Sequence, residues 1–188
     1  MHTEADLLLD WIRNENLEEL KKWIKQTKHI DFAYPDEEEE RYEDYPTLLH
    51  AVEYEKENVV KLLLEAGVNA NLRTSDGQTA LYRAIEKQCF PIVALLLEYG
   101  ADVQQIGRFD KSPLFCAVDE YSQDKYYFKD ENDRQYMKRK KKKLLIIKAL
   151  LEKGADPNKQ EISVKLTPLK CAQQRVEREI IEILENKN

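Results

Sequence analysis

Histidine and cysteine are the side chains that most often bind metals or act as nucleophiles, and this chain of 188 residues has three of each. No pair of them has the Cys-x-x-Cys or His-x-x-x-His spacing of a metal site. The sequence has no glycine-rich phosphate loop and no nucleophile elbow. We therefore expect no catalytic residue, no metal and no cofactor, and a protein that is not an enzyme. The residues considered are His2, His29, His50, Cys89, Cys116 and Cys171.

The composition places the chain among acidic globular proteins. Its net charge is −6, and residues 138–143 alone carry +6, so the remainder carries −6 − 6 = −12. A general nucleic-acid binder is not expected, because phosphate contacts need a basic face. The odd number of cysteines suits a reducing compartment, the acidic start is unlike a secretory signal, and the aliphatic run Leu144–Ile147 is too short to span a membrane. We expect a cytoplasmic protein.

Two charged runs are candidates for binding. Residues 36–44 contain seven acids and one base, which is typical either of a solvated loop or of an acidic finger that meets a basic partner. Tyr34, Tyr42 and Tyr45 favour the second interpretation, because binding surfaces are rich in tyrosine. The basic run 138–143 fits a solvated helix, a charge contact with a partner or with the chain's own acids, or binding to nucleic acid or lipid.

The elements that would position these residues follow from an internal repeat. Leu62–Gly67 recurs as Leu95–Gly100, which gives a period of about 33 residues, within the range of structural repeats. The phrase returns as Ala149–Gly154 after one more period and an insertion of 21. A second phrase, Thr79–Ala84, has the same period. It recurs at Ser112–Ala117, and related versions stand at Pro46–Ala51 and Thr167–Ala172.

Each repeat has the pattern of two short helices and a projecting finger. Apolar residues at helical spacing precede each glycine, and Thr79, Ser112 and Thr167 stand where a hydroxyl can cap a helix. Asp76-Gly77 is a turn signal between repeats. The insertion in the fourth repeat contains no glycine or proline, so we expect lengthened helices there, with one outer helix over residues 132–153.

These phrases resemble the ankyrin repeat, which opens with Thr-Pro-Leu-His-x-Ala and closes with Leu-Leu-x-x-Gly-Ala-Asp. The resemblance implies an all-α solenoid of about five helix-turn-helix units with short β-hairpin fingers and a helical insertion over 119–143. The chain departs from the pattern where the histidine should stand, since Leu49, Tyr82, Phe115 and Lys170 occupy that place. The predicted units of this single domain are 3–45, 46–78, 79–111, 112–166 and 167–188.

Cys116 and Cys171 occupy the same repeat position, just before an alanine. We expect them on the inner helices of neighbouring units, where stacked helices lie roughly 10 Å apart. A disulfide is not expected, because its two Cα atoms must lie within about 7 Å.

The resemblance implies protein binding through finger tips and inner helices. Among the candidates, Phe109 stands at a finger tip, and residues 126–128 lie on the insertion. The candidate contacts are Glu53, Tyr54, Arg73, Ser75, Asp76, Gln78, Glu86, Lys87, Arg108, Phe109, Lys111, Asp119, Glu120, Tyr126, Tyr127 and Phe128.

Several functions are compatible with this surface. The chain resembles small stand-alone ankyrin proteins, including the immunity proteins that neutralise bacterial toxins, and its acidity would steer it onto a basic toxin or enzyme. The alternatives are a host-directed bacterial effector and a regulator that binds anionic lipid or nucleic acid through residues 138–143. We expect a monomer in isolation.

Overall fold

The computed structural model describes residues 4–27, 30–31, 45–107, 110–119, 134–175 and 177–186. Ten α-helices lie in these ranges, and an antiparallel bridge joins Arg73 to Thr79 in one finger. The helices are α1 (Glu4–Arg13), α2 (Leu17–Gln26), α3 (Thr47–Glu53), α4 (Glu57–Glu65), α5 (Ala80–Glu86), α6 (Phe90–Glu98), α7 (113–119), α8 (Arg134–Glu152), α9 (Pro168–Gln174) and α10 (Arg178–Glu185).

The helices stack in two layers. The odd-numbered helices are the inner layer, in which α3 packs between α1 and α5. The even-numbered helices are the outer layer, in which α4 contacts α2 and α6, and α8 contacts α6 and α10. Each unit therefore buries its apolar face against its neighbours, and one hydrophobic core extends from Leu8 to Leu184. The predicted all-α repeat solenoid is confirmed.

The predicted caps start the inner helices. The side-chain hydroxyl oxygen accepts from the backbone N–H three residues later at Thr79 (3.1 Å), Ser112 (3.2 Å) and Thr167 (3.1 Å). These bonds satisfy one free N–H in the first turn of each short helix.

The closing phrase of each repeat makes the same turn. Gly67, Gly100 and Gly154 have φ values of +89°, +83° and +92°, the left-handed conformation that commonly ends a helix and that glycine adopts without strain. The acid or amide two residues later accepts a backbone N–H with its side chain, as Asp102 does from Gln104 at 2.8 Å. These turns set the direction in which the chain leaves each outer helix towards its finger.

The departure at Tyr82 has a steric consequence. Tyr82 is buried, and a Cβ built on Gly107 would lie 2.2 Å from the Tyr82 ring. The Tyr82 ring therefore occupies the space that a side chain at position 107 would need. Only glycine fits there, and the backbone of the next finger packs directly on the ring.

The insertion produces one long outer helix. α8 has 19 residues, whereas α4 and α6 have nine each. The prediction of a continuous outer helix over 132–153 is confirmed over Arg134–Glu152, while Lys153 already belongs to the turn that follows and residues 132–133 lie outside the described residues. In the described ranges, no helix combines the length and the apolar character needed to cross a bilayer.

One tyrosine in the acidic break belongs to the core. Tyr45 is buried, and its ring lies 4.8 Å from that of His50. The interpretation of Tyr45 as part of a binding loop was wrong, because this side chain packs in the core beside the inner helix α3. Residues 36–44, with Tyr34 and Tyr42, lie outside the described residues.

The structure describes all three cysteines, Cys89, Cys116 and Cys171. Cys116 lies on α7 and Cys171 on α9, both buried on inner helices as expected, and neither forms a disulfide. Burial raises the pKa of the Cys171 thiol, so it stays protonated at neutral pH.

Candidate protein-binding surface

The bases of two successive fingers are hydrogen-bonded to the end of the inner helix that follows each of them. The Gln78 side-chain amide donates to Glu86 at 2.9 Å, and the Lys111 ammonium donates to Asp119 at 2.8 Å. The two pairs have the same separation along the chain, and the second repeats the first one period later. Fingers and inner-helix ends therefore form one continuous surface, which we call the finger–helix surface.

Arg83 lies at the centre of this surface and links two units. Its guanidinium donates to both carboxylate oxygens of Glu53, from Nε at 2.6 Å and from Nη2 at 2.9 Å. It also donates to Glu86 on its own helix at 3.1 Å. The bidentate geometry fixes the orientation of the partly buried Glu53 carboxylate, and the single bond links Glu86 to the same guanidinium.

A second cross-unit ion pair occurs at two equivalent places. Lys87 lies 3.4 Å from Glu53 of the preceding unit, and Arg175 lies 2.7 Å from Asp119 of the preceding unit. Lys87 and Arg175 each stand eight residues after a capping threonine. The repeat register therefore places a cation against the acid of the unit before it.

These contacts change the ionisation of the acids. Burial alone would raise the pKa of Glu53, but the hydrogen bond and charge of Arg83 outweigh burial and lower it. At Asp119, burial is likewise outweighed by the hydrogen bond and charge of Lys111, together with Arg175, so its pKa is also lowered. Both groups stay charged well below neutral pH.

Tyr54 extends the surface towards the first unit. Its hydroxyl accepts from the Arg13 guanidinium at 2.8 Å, and the same guanidinium lies 5.1 Å from the centre of the Tyr54 ring. This contact ties α1 to the end of α3 and holds the tyrosine in one orientation.

The fingers share a tight turn. Gly77, Asp110 and Lys165 occupy equivalent finger positions, and all have positive φ, at +83°, +53° and +54°. In the first described finger, Arg73, Ser75 and Asp76 are exposed at the tip, whereas Gln78 is 5% exposed. Gln78 is therefore buried at the finger base, where it holds Glu86, and the tip residues face solvent.

The structure brings most of the described candidates together and leaves six outside its description. Glu53, Glu86 and Lys87 meet around Arg83, and Lys111 meets Asp119. The candidates that lie outside the described residues are Arg108, Phe109, Glu120, Tyr126, Tyr127 and Phe128.

Sequence reasoning missed Arg83 and Glu161. Arg83 stands three residues before Glu86, and Glu53 and Glu86 are one repeat apart, so the register held a usable signal. Glu161 is 1% exposed, accepts the Ser112 N–H at 3.0 Å, and accepts the Ser112 hydroxyl as well. Glu161 fixes the last finger against α7, and no local pattern indicates this contact between residues so far apart in the chain.

No group of three or more metal-ligating side chains converges within the ranges that the structure describes. The ion pairs of the finger–helix surface join neighbouring units, and none of them aligns a nucleophile with a general base. This surface is therefore suited to presenting a fixed pattern of charge and shape.

Comparison with known proteins identifies relatives of the repeat. Residues 8–107 match the family model of ankyrin repeats (3 copies). An ankyrin repeat protein of Fowlpox virus (strain NVSL) is 37% identical over 76 residues, which are 40% of this chain and 18% of that protein. An ankyrin repeat-containing protein of Treponema pallidum (strain Nichols) is 38% identical over 84 residues, 39% of this chain and 28% of that protein.

A mammalian relative has the same repeat. The mouse B-cell lymphoma 3 protein homolog is 37% identical over 70 residues, which are 37% of this chain and 16% of that protein. The chain therefore spans less than a third of the length of these relatives. The family model covers the first units of the solenoid, over residues 8–107.

Proposed function

The chain belongs to the ankyrin-repeat family, whose repeats form a protein-interaction module, and we propose that it binds a partner protein through the finger–helix surface without catalysing a reaction. The observation that carries this proposal is the way two successive finger bases are bonded to the next inner helix, while the tip residues Ser75 and Asp76 stay exposed. A partner would meet a surface that is already ordered.

This order supports binding on energetic grounds. Immobilising a long side chain at an interface costs about 0.5–1.5 kcal/mol. Glu53, Arg83 and Glu86 already hold one another, so a partner would find them fixed. Because these three side chains are paired, they present little net charge to a partner. Electrostatic steering of the partner would therefore come from acidic residues elsewhere on the chain.

In its narrower form, the proposal makes the partner an enzyme or toxin that the chain inhibits, as an immunity protein does. The −12 charge outside the basic run supports a basic partner, whose active site the fingers and insertion would cover. We place this interaction in the cytoplasm. A host-directed effector role and binding of anionic lipid or nucleic acid are the alternative predictions.

The product of the neighbouring gene is the first partner to test. Isothermal titration should give a 1:1 complex in the micromolar range or tighter, and co-expression should relieve any toxicity of that product. Titration that shows no heat of binding, together with unrelieved toxicity, would contradict the inhibitor role. Binding of a different partner protein through the finger–helix surface would then have to be tested with a partner found by affinity purification.

The site is tested by a matched pair of variants. Asp76→Arg changes an exposed finger tip, and Glu98→Arg makes the same charge change on the outer helix α6. We expect Asp76→Arg to weaken binding at least about tenfold, as interface charge reversals do. Glu98→Arg should leave the affinity within about twofold, and equal losses in both variants would refute the finger–helix surface as the binding site.

A further inference from the structure

The first ten residues of α8 have no counterpart in the other outer helices. Leu144 stands ten residues before Gly154, as Phe90 stands ten residues before Gly100, so residues 134–143 precede the usual start of an outer helix. This segment, the α8 extension, contains seven cations and no acid.

Three of these cations hold the extension in place. Lys140 pairs with Glu179 of α10 at 2.8 Å, and Arg139 donates to the Gln88 side chain in the α5–α6 turn at 3.3 Å. Lys143 is buried where α8 enters the core. The extension is therefore anchored to the units on both sides of it.

The other four cations face solvent. Arg134, Lys138, Lys141 and Lys142 are exposed, and no carboxylate in the described part of the chain forms an ion pair with them. Arg134, Lys138 and Lys141 follow i, i+4, i+7 spacing and share one face of the helix, where like charges repel. This crowding would be relieved by an external anion.

Apolar side chains lie among these cations. A groove of about 460 Å³ lies on the side of α8 that faces α10, and Met137 and Leu144 contribute to its walls together with the cations. Met137 is 51% exposed, and Leu145 on the outward face of α8 is 37% exposed. The lining residues are Arg134, Met137, Lys138, Lys140, Lys141, Leu144 and Glu179.

We propose that this α8–α10 groove binds a short acidic segment of a partner protein that carries one or two apolar side chains. The carboxylates would pair with Arg134, Lys138 and Lys141, and the apolar side chains would pack on Met137 and Leu144. The groove shares no residue with the finger–helix surface, but it lies in the insertion to which the narrower proposal above assigns partner contact. The inference extends that proposal, and a synthetic peptide tests it separately from any partner.

The dimensions favour a peptide over an extended polyanion. From Arg134 to Lys142 the helix rises about 12 Å, which matches a few residues of a bound chain but only a short length of nucleic acid. Glu179 at the rim and the net charge of −6 would repel a long polyphosphate or an anionic membrane beyond that length. The interleaved apolar side chains match a peptide of mixed character.

The test uses a fluorescein-labelled synthetic peptide of about twelve residues, mostly glutamate with two leucines four residues apart. Fluorescence anisotropy with the full chain should show saturable binding at micromolar concentration that weakens as sodium chloride is raised. The triple variant Arg134→Gln/Lys138→Gln/Lys141→Gln should weaken binding at least about tenfold, and Met137→Ser should weaken it about threefold.

A control variant separates the groove from overall charge. Lys25→Gln/Lys61→Gln/Lys153→Gln removes the same charge from exposed sites on other surfaces and should keep the peptide affinity within about twofold. Circular dichroism would establish that both triple variants are folded. No saturable binding, or equal weakening in both triple variants, would overturn the proposal.

Other occupants are distinguished by parallel titrations. Tighter binding to single-stranded oligothymidylate, or to phosphatidylserine vesicles, than to the acidic peptide would overturn the assignment of a protein segment. Sedimentation of the unlabelled chain tests a second copy as the occupant. Self-association that the peptide reverses and the α8 triple variant lacks would assign the groove to contacts between copies instead.

Discussion

The finger–helix surface and the α8 extension are both densely charged, but the charges of the first are paired within the chain and most charges of the second face solvent. On the finger–helix surface, Glu53 and Asp119 each meet cations of an adjoining unit at 2.6–3.4 Å. On the α8 extension, Lys140 is paired at 2.8 Å, whereas Lys138 and Lys141 face solvent without a carboxylate in the described residues.

The difference indicates which parts of the chain supply the ion-pair partners of these charged side chains. Glu53, Glu86 and Asp119 occupy the same position in three successive repeats. Glu53 and Asp119 each pair with cations of adjoining units, whereas Glu86 pairs with Arg83 of its own helix. The α8 extension belongs to an insertion that has no equivalent in the neighbouring units. Those units supply partners for Lys140 and Arg139, while Arg134, Lys138, Lys141 and Lys142 have no carboxylate partner among the described residues and are available to other molecules.

The largest effect should follow from removing the most deeply buried internally paired acid. Glu161→Ala would leave the Ser112 N–H and hydroxyl buried without an acceptor, which costs about 3 kcal/mol of unfolding free energy. Urea unfolding measures the loss. Glu161→Gln keeps one acceptor and should lose less, and a loss below about 1 kcal/mol for Glu161→Ala would show that the last finger is not held by this contact.

Removing the cation that joins two units should come next. Arg83→Ala leaves Glu53 and Glu86 partly buried with less compensation, and we expect a loss of about 2 kcal/mol, because breaking such a pair is costlier than never forming it. Arg83→Lys keeps the charge without the bidentate geometry and should lose about half as much. Equal losses in the two variants would mean that a positive charge at this position does not stabilise the fold without the bidentate geometry.

The pH dependence of Asp119 gives a smaller effect with a defined sign. Its pKa is lowered in the folded state, so its stabilising contribution is present above the unfolded value of about 3.9 and is lost as the pH falls through the lower folded value. Asp119→Asn should cost about 1 kcal/mol at pH 7. In urea unfolding, this difference should stay constant down to about pH 5 and shrink below pH 4. A difference that grows in acid would contradict the assignment.

The smallest effect should have the opposite sign. Lys138→Gln/Lys141→Gln relieves repulsion on the α8 extension and should raise the unfolding free energy by about 0.3 kcal/mol. Lys140→Gln is the matched change at a paired site. Glu179 holds Lys140 by a hydrogen bond and raises its pKa, so this variant should lose about 0.5 kcal/mol. A loss above about 1 kcal/mol in the double variant would show that its lysines are engaged within the chain.

Much of the fold could be predicted from local signals. The glycines after α4, α6 and α8 and the capping hydroxyls at Thr79, Ser112 and Thr167 are short-range requirements, so they are visible in the sequence. The length of α8 was predictable for the same reason, since nothing in residues 134–143 interrupts a helix.

The binding surface could be predicted only in part. Repeat position placed Glu53, Glu86, Lys87, Lys111 and Asp119 together, but it did not show that these groups bond to one another. Tyr45 was misassigned because composition cannot distinguish an exposed tyrosine from one packed on a buried histidine. The finger–helix surface as the binding site stays a prediction until a partner is tested.

The sequence by itself determined the repeat, its period and the ends of its helices, because those depend on residues within one or two turns of each other. The tertiary structure decided which charges are compensated: Glu161 against Ser112, Arg83 between two acids, and Lys140 on Glu179. These pairings depend on distances across stacked units, where the strength of an ionic contact is set by a few ångströms and by the surrounding burial.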